Sequence, residues 1–442
     1  MKYSKVDKYT NLLKSVSSRF ILTFQLFTKN ELANHAAAGA YGFFLSAAPA
    51  LLLVVLFISN LFRSSPAALT DFFESFSNSY LEGLGSLIDS RSMAYSFLSS
   101  SGGGISGLIA ILNLIWTGRV FALSLQRGLR VVFTNPPGNS KPIRDNLIPF
   151  AIELAAILYA LLFILSTRGA LLLIEGSNLN RLFPVLLPIL RIIALMLPFF
   201  GLALLTYGAY RLVPHNPPSR IAALQGTLVG MISYSIVSTL FQIAVNPARY
   251  NLVYGTLGNV VLLLANVYFF FSFFFMGAQF AYVVHSFDAL MFTRFRKIQG
   301  SKSRTNSTGI PHFEQRIFGS PAGEMKKYIR SYEAGAKLFN AGESGTTIIY
   351  VLSGIIGIYI QDEDGLQKKI ADLPEGNFVG EMAYLLSEPR TATAIAETDA
   401  VIIELPPEVF EKVLETDPET ARYIIGSLSR RIKSANEKIR AL

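Results

Sequence analysis

The stretch GEMAYLLSEPRTATA, residues 380–394, sets a glycine–glutamate pair, Gly380 and Glu381, and a single arginine, Arg390, in a mostly apolar run. Charged groups placed among residues that seek the interior point to a buried polar site, because an unpaired buried charge is costly. A guanidinium is a planar fork of donors suited to an anion. A carboxylate only accepts, which suits a hydroxyl. Gly380 lets backbone approach closely.

The flanking residues have strand periodicity. In TTIIYVLSGIIGIYI, residues 346–360, Ile356, Ile358 and Ile360 face one way and Tyr359 the other, with a turn at Ser353-Gly354. QDEDG, LPEGN and ETD mark further turns. Short strands between frequent turns indicate a β-roll or jelly roll. Two helices follow. Asp417 is the expected N-cap of the second, with Pro418 its first residue and Glu419 in its first turn. Ile425, Leu428, Ile432, Ala435 and Ile439 form a stripe along it. That stripe fits either a homodimer seam or docking on the chain's own roll.

The rest of the chain has a different character. Its 442 residues are 51% hydrophobic and only 16% charged, with mean hydropathy +0.41 and net charge +9. A soluble domain carries about 25% charged residues. There are no cysteines, which excludes disulfides and thiolate chemistry, and the histidines (His35, His215, His285, His312) are scattered. Six apolar segments, near 36–62, 104–124, 147–173, 183–211, 221–246 and 258–292, are long enough to span a bilayer. Residues 17–33 are amphipathic and expected at the interface. No cleavable signal pattern precedes the first span. Basic residues mark alternate sides: Lys2, Lys5, Lys8, Lys14 and Arg19, then Arg127, Arg130, Lys141 and Arg144, then Arg294, Arg296, Lys297, Lys302 and Arg304. The loop after the first span is acidic, with Asp71, Glu74, Glu82 and Asp89. Both termini are therefore expected in the cytoplasm.

Polar residues within the spans are candidates for an intramembrane function: Arg119, Glu153, Arg191, Asn266 and Gln279, with Asn259 beside them. The structural alternative is an interhelical ion pair, Glu153 with Arg191, or arginines reaching the headgroups. No inverted repeat is evident.

ELANHAAAGAYGFFLSAAPALLLVVLF, LIWTGRVFALSLQRGLRVVF, YRLVP and NLVYGTLGNVVLLLANVYFFFSFFFMGAQFAY together resemble the YihY/BrkB membrane proteins, over about residues 15–295. That family has carried a ribonuclease BN label, but no clustered metal ligands support a nuclease here. YEAGAKLFNAGESGTTIIYVLSGIIGIYI and LPEGNFVGEMAYLLSEPRTATAIAETDAVIIELP resemble the cyclic nucleotide-binding domain of the catabolite activator protein type. This resemblance implies that Glu381 takes the ribose hydroxyl and Arg390 the phosphate. Gly380, Met382, Ala383, Thr391 and Ala392 complete the cassette. Arg430, Arg431 and Ser434, with Asn436, are candidate lid residues.

The expected organisation is an N-terminal tail with an amphipathic helix (1–34), a six-helix α membrane bundle (35–293), a basic linker (294–324) and an α+β nucleotide-binding domain (325–442). The protein is expected in the bacterial inner membrane, with cAMP or cGMP as regulatory ligand and the lipid bilayer as a partner. No enzymatic constellation, other cofactor or nucleic-acid-binding helix-turn-helix is expected. A transporter and a non-transporting scaffold both remain open. A cysteine introduced at Ser79 should label with an impermeant maleimide from outside, and one at Ser303 should not. The reverse pattern defeats this topology.

Overall fold

The computed structural model describes residues 2–61, 105–133, 142–164, 186–245, 256–302, 312–319, 323–361 and 367–440. The chain divides into two compact units, residues 22–285 and residues 1–21 with 286–442.

Residues 22–285 are helical. Helix α1 (Lys2–Lys29) contributes its C-terminal end, followed by α2 (Leu32–Leu61), α3 (Ile105–Val132), α4 (Pro142–Ile164), α5 (Leu186–Leu212), α6 (Arg220–Ala244) and α7 (Thr256–His285). A helix of α2–α7 lies at each of the six apolar segments. Among the described residues, Arg220–Ala244 and Val260–His285 are long and apolar enough to cross a bilayer. Many large side chains point outward, including Trp116 on α3, Leu158 on α4, Leu204 on α5 and Ile232, Ile236 and Ile243 on α6. An outward apolar surface on this scale marks an interaction with something other than water.

The interior is built from rings and glycines. Phe271 of α7 meets Phe121 of α3 and Phe43 of α2 at centroid separations of 5.7 and 6.2 Å. Helices α6 and α7 cross backbone to backbone. A Cβ on Gly277 would stand 2.6 Å from the Gly226 carbonyl oxygen and 2.7 Å from the Tyr210 hydroxyl. A Cβ on Gly230 would stand 2.8 Å from the Phe273 carbonyl oxygen. Small residues at such spacing let membrane helices approach closely.

The other unit holds the β-structure. Helix α8 (Phe287–Lys302) and α9 (His312–Phe318) lead to a 3₁₀ turn, Gly323–Tyr328. Strands β1 (Ile329–Tyr332), β2 (Lys337–Phe339), β3 (Ile348–Ser353), β4 (Ile356–Gln361), β5 (Gln367–Leu373), β6 (Phe378–Val379), β7 (Thr393–Ala396) and β8 (Ala400–Leu405) form two four-stranded antiparallel sheets. Their orders are β1-β8-β3-β6 and β2-β7-β4-β5. Ile349, Val351, Ile356, Leu373, Val379 and Ile402 form the core between them. The expected alternation along β4 holds at Ile356, which is buried, weakens at half-buried Ile358 and is lost at exposed Ile360. Helix α10 (Glu381–Leu386) lies between β6 and β7, and α11 (Pro407–Thr416) and α12 (Pro418–Arg440) close the chain.

Two expectations change. The last apolar segment does not run as one helix to residue 292: α7 ends at His285 and α8 starts at Phe287. The apolar residues 287–292 serve a protein core rather than lipid, since Phe292 is fully buried and stacks on Tyr350 of β3 at 5.2 Å. The basic stretch read as a linker is helical at 294–302 and again at 312–318.

Replacing Gly277 with valine should destabilise α6–α7 packing by about 1–3 kcal/mol, the usual cost of overpacking. The readout is the melting temperature of the solubilised protein. Gly208→Ala, with no atom within 4 Å of the new Cβ, should not lower it and should raise it slightly, as alanine favours the helix over glycine.

Candidate functional site

The cassette residues converge at the junction of β6 and α10. Gly380 has φ +82°, a left-handed conformation that favours glycine. A Cβ there would also collide with Arg390 Nη1. The glycine is therefore fixed twice, by backbone conformation and by the guanidinium beside it.

Arg390 is only 6% exposed. Its Nη1 donates to the Gly380 carbonyl at 2.9 Å and its Nη2 to the Thr347 carbonyl at 2.7 Å. The guanidinium lies over the Phe339 ring, 4.3 Å from the centroid, a cation–π arrangement. Its backbone is pinned by Arg390 N–H to the Glu343 carbonyl at 2.9 Å and by Gly342 N–H to the Arg390 carbonyl at 2.8 Å. Burial pushes the Arg390 guanidinium down from its ordinary value, and the nearby Glu343 and Glu381 charges act the other way. It stays a cation, as arginine does throughout proteins.

Glu381 is 2% exposed and opens α10, whose first turn has no side-chain cap. Uncapped N–H groups at a helix start attract an anion. A buried guanidinium, an uncapped helical turn and a buried carboxylate thus occupy one corner of the roll. That corner suits a ligand with one anionic group and one hydroxyl. Ala383 is buried, Ala392 half-buried, and Met382 and Thr391 are exposed.

The lid candidates are only partly described. Arg430 is exposed. The side chains of Arg431, Ser434 and Asn436 lie outside the described residues. In the apolar stripe of α12, Ile425 is 63% exposed while its neighbour Ile424 is buried. The side chains of Ile432, Ala435 and Ile439 lie outside the described residues.

Among the described residues the intramembrane candidates do not form one cluster. Glu153 of α4 is half-buried, and its carboxylate rests where a Cβ on Gly118 of α3 would be. Arg119 is exposed. The side chains of Arg191 and Asn259 lie outside the described residues, and with them any Glu153–Arg191 pair. Asn266 Oδ1 accepts from the Tyr234 hydroxyl at 3.0 Å and the Ser238 hydroxyl at 3.5 Å. Gln242 Nε2 in turn donates to Ser238 Oγ at 3.5 Å. Gln279 is fully buried and accepts from Asn30 Nδ2 at 3.2 Å. Among the described residues no group of His, Asp and Glu is placed to hold a metal ion.

Sequence reasoning missed Phe339, Thr347 and Glu343 as neighbours of Arg390. The turn residues NAGESG after Phe339 were their only local signal. It also missed Asp417 as an ion-pair partner. The Asp417 carboxylate is 2% exposed and meets Arg296 Nη2 at 3.4 Å and Lys297 Nζ at 3.1 Å, both from α8. Burial alone would raise its pKa, but the Thr420 hydroxyl, the Lys297 ammonium and the Arg296 guanidinium hold it below the ordinary aspartate value.

The chain therefore joins a helical unit to a roll that holds a buried guanidinium beside an uncapped helical turn. Residues 23–291 match the family described as Virulence factor BrkB, and residues 329–417 match the Cyclic nucleotide-binding domain. The chain belongs to the virulence factor BrkB family, a family of membrane proteins, and carries a C-terminal cyclic nucleotide-binding domain. The C-terminal part is 25% identical over 113 residues to the cAMP-activated global transcriptional regulator CRP of Salmonella typhimurium, covering 25% of this chain and 54% of that protein. It is 31% identical over 115 residues to Glutaminase 1 of Bradyrhizobium diazoefficiens, covering 25% of this chain and 18% of that one. Among solved structures, the Thermus thermophilus Catabolite Activator Protein is similar, with 26% identity, TM-score 0.24, and coverage of 26% of this chain and 53% of that one. The chain spans about half the length of the CRP relatives it matches.

The depressed Asp417 pKa has a sign. Its contribution to stability is complete above the ordinary aspartate range, about pH 4, and is lost as pH falls through the lower folded-state value. Asp417→Asn should remove that acid-side component. Melting temperatures measured against pH should therefore show a shallower acid limb in the variant. Identical limbs in both proteins count against this role.

Proposed function

We propose that this is a multi-pass cytoplasmic-membrane protein with both termini inside, whose helical unit is controlled by cAMP or cGMP bound at Gly380, Glu381 and Arg390. The observation that carries this reading is the juxtaposition of the buried Arg390 guanidinium with Gly380 and Glu381 at an uncapped helical turn. The cyclic phosphate goes to Arg390 and the N–H groups of Met382 and Ala383. The ribose hydroxyl goes to Glu381. Thr391, exposed beside the cassette, serves either the phosphate or the exocyclic amine of a guanine. Similarity to the cAMP-activated regulator CRP supports a cyclic nucleotide.

For the helical unit, the reading is a transporter or exporter without catalytic chemistry of its own. The chain of Tyr234, Asn266, Ser238 and Gln242 hydrogen bonds between α6 and α7 supports it. Such groups in a membrane bundle commonly mark a polar path. The second reading is a scaffold whose oligomerisation the nucleotide controls, and the exposed Ile425 on α12 favours it. Solute flux in proteoliposomes separates the two.

Binding is measured by titration of the full-length protein with cAMP and with cGMP. Truncating one member of a buried charged contact costs about 2–5 kcal/mol. Arg390→Ala should therefore weaken binding by roughly thirty- to several-thousand-fold. Glu381→Ala removes bonds to a neutral hydroxyl, about 1.5–3 kcal/mol, and should cost roughly ten- to a hundred-and-fifty-fold. If neither nucleotide binds the wild-type protein below about a millimolar, a free energy of about −4 kcal/mol, the sensor reading fails.

A further inference from the structure

Helix α8 is not an idle connector. It begins two residues after α7 ends, and it is fastened to the nucleotide-binding domain at three places. Near its start, Asp288 accepts from Lys327 Nζ at 2.8 Å and from the Tyr328 hydroxyl at 2.6 Å. In its middle, Phe292 packs on Tyr350 and Phe378 at 5.2 and 6.1 Å. Toward its end, Arg296 and Lys297 meet Asp417, and Lys297 also reaches Glu419 Oε2 at 3.2 Å. Asp417 lies where α11 passes into α12, and its carboxylate accepts from the Thr420 hydroxyl in the first turn of α12.

The third fastening connects to the cassette through short contacts. Arg296 lies over the Tyr423 ring of α12, 5.6 Å from its centroid. The Tyr423 hydroxyl donates to the Gly376 carbonyl at 3.2 Å, just ahead of β6. Phe378 of β6 contacts Phe292 of α8, Phe410 of α11 and Tyr423 of α12. Two residues beyond Phe378 is Gly380, whose carbonyl holds Arg390 Nη1.

We propose that the clasp of Arg296 and Lys297 on Asp417 sets the affinity of the nucleotide site and makes α8 the helix that carries occupancy to α7. This rests on the nucleotide reading above. With the clasp closed, both terminal nitrogens of Arg390 serve backbone carbonyls, and one of these carbonyls belongs to the segment wedged among α8, α11 and α12. The guanidinium keeps further N–H donors beside those two bonds, and a phosphate that draws it away from the carbonyls loosens that segment. The clasp therefore opposes the ligand, and the ligand opposes the clasp by the same factor. Asp417 and Arg296 act as positioning residues and do not touch the nucleotide.

The test uses full-length protein in nanodiscs with cAMP and cGMP as probes. Asp417→Asn, and separately Arg296→Gln with Lys297→Gln, should tighten binding about fivefold or more, within the usual range of coupling between sites. Hydrogen exchange over residues 287–302 should quicken when nucleotide saturates the wild type. In either variant it should be fast beforehand and unresponsive. Wild-type-like or weaker affinity in both variants, or exchange at 287–302 that ignores nucleotide in the wild type, overturns the clasp while leaving the nucleotide site intact. A wild type that binds neither nucleotide removes both readings at once. The α8 double variant leaves the Asp417–Thr420 hydrogen bond in place, so a folding defect confined to Asp417→Asn does not decide the outcome.

Discussion

A guanidinium buried to 6% exposure organises the C-terminal unit. Arg390 cannot shed its charge, so the fold must supply acceptors, and it does so with the backbone carbonyls of Gly380 and Thr347. Those two bonds tie β6 and the start of α10 to the residue before β3. The flat face of the same group rests on Phe339, at the end of β2. One side chain thus joins both sheets to the cassette. Gly380 follows as a requirement, because any side chain there would displace the guanidinium.

The two units solve burial in opposite ways. Between the sheets of the roll, aliphatic side chains turn inward to form the core. In residues 22–285 large apolar side chains point outward along α3 to α6, while the contact surfaces carry glycine, alanine and aromatic rings. Lipid tails exert no hydrophobic drive on helices, so close packing and a few internal hydrogen bonds hold such a unit together. The Tyr210 hydroxyl bonding to the Phe274 carbonyl beside Gly277 illustrates it.

Much of this was legible in the sequence for local reasons. Apolar runs longer than a bilayer is thick announced the helices from Leu32 to His285. The spacing of Gly380, Glu381 and Arg390 announced the cassette because all three serve one short turn and the strand after it. The limits were also physical. Apart from Asp288, residues 287–292 continue the apolar run before them, and hydropathy does not distinguish lipid from the core around Tyr350 and Phe378. Arg296 and Lys297 looked like cytoplasmic markers, since their partner Asp417 is more than a hundred residues away. The acceptors of Arg390 are backbone carbonyls, which every residue has and no side-chain pattern reveals. The hydrogen-bonded group around Asn266 includes Tyr234, Ser238 and Gln242 of α6. Nothing local to Asn266 pointed to them.

The crossing of α6 and α7 limits how the helical unit can move. At Gly226, Gly230 and Gly277 the nearest atom across the seam is a main-chain carbonyl oxygen, which has no rotamer to readjust. Sliding α7 by one turn would bring Phe273 or Ala281 to the place that Gly277 fills, and the ring of Phe273 has no room beside the Gly226 carbonyl. Shear between packed helices relies on side chains that shift within one packing class, and at these three glycines there is little side chain to shift. Helices α6 and α7 must therefore translate or tilt as a single beam. Any rearrangement inside the unit has to be taken up at other seams.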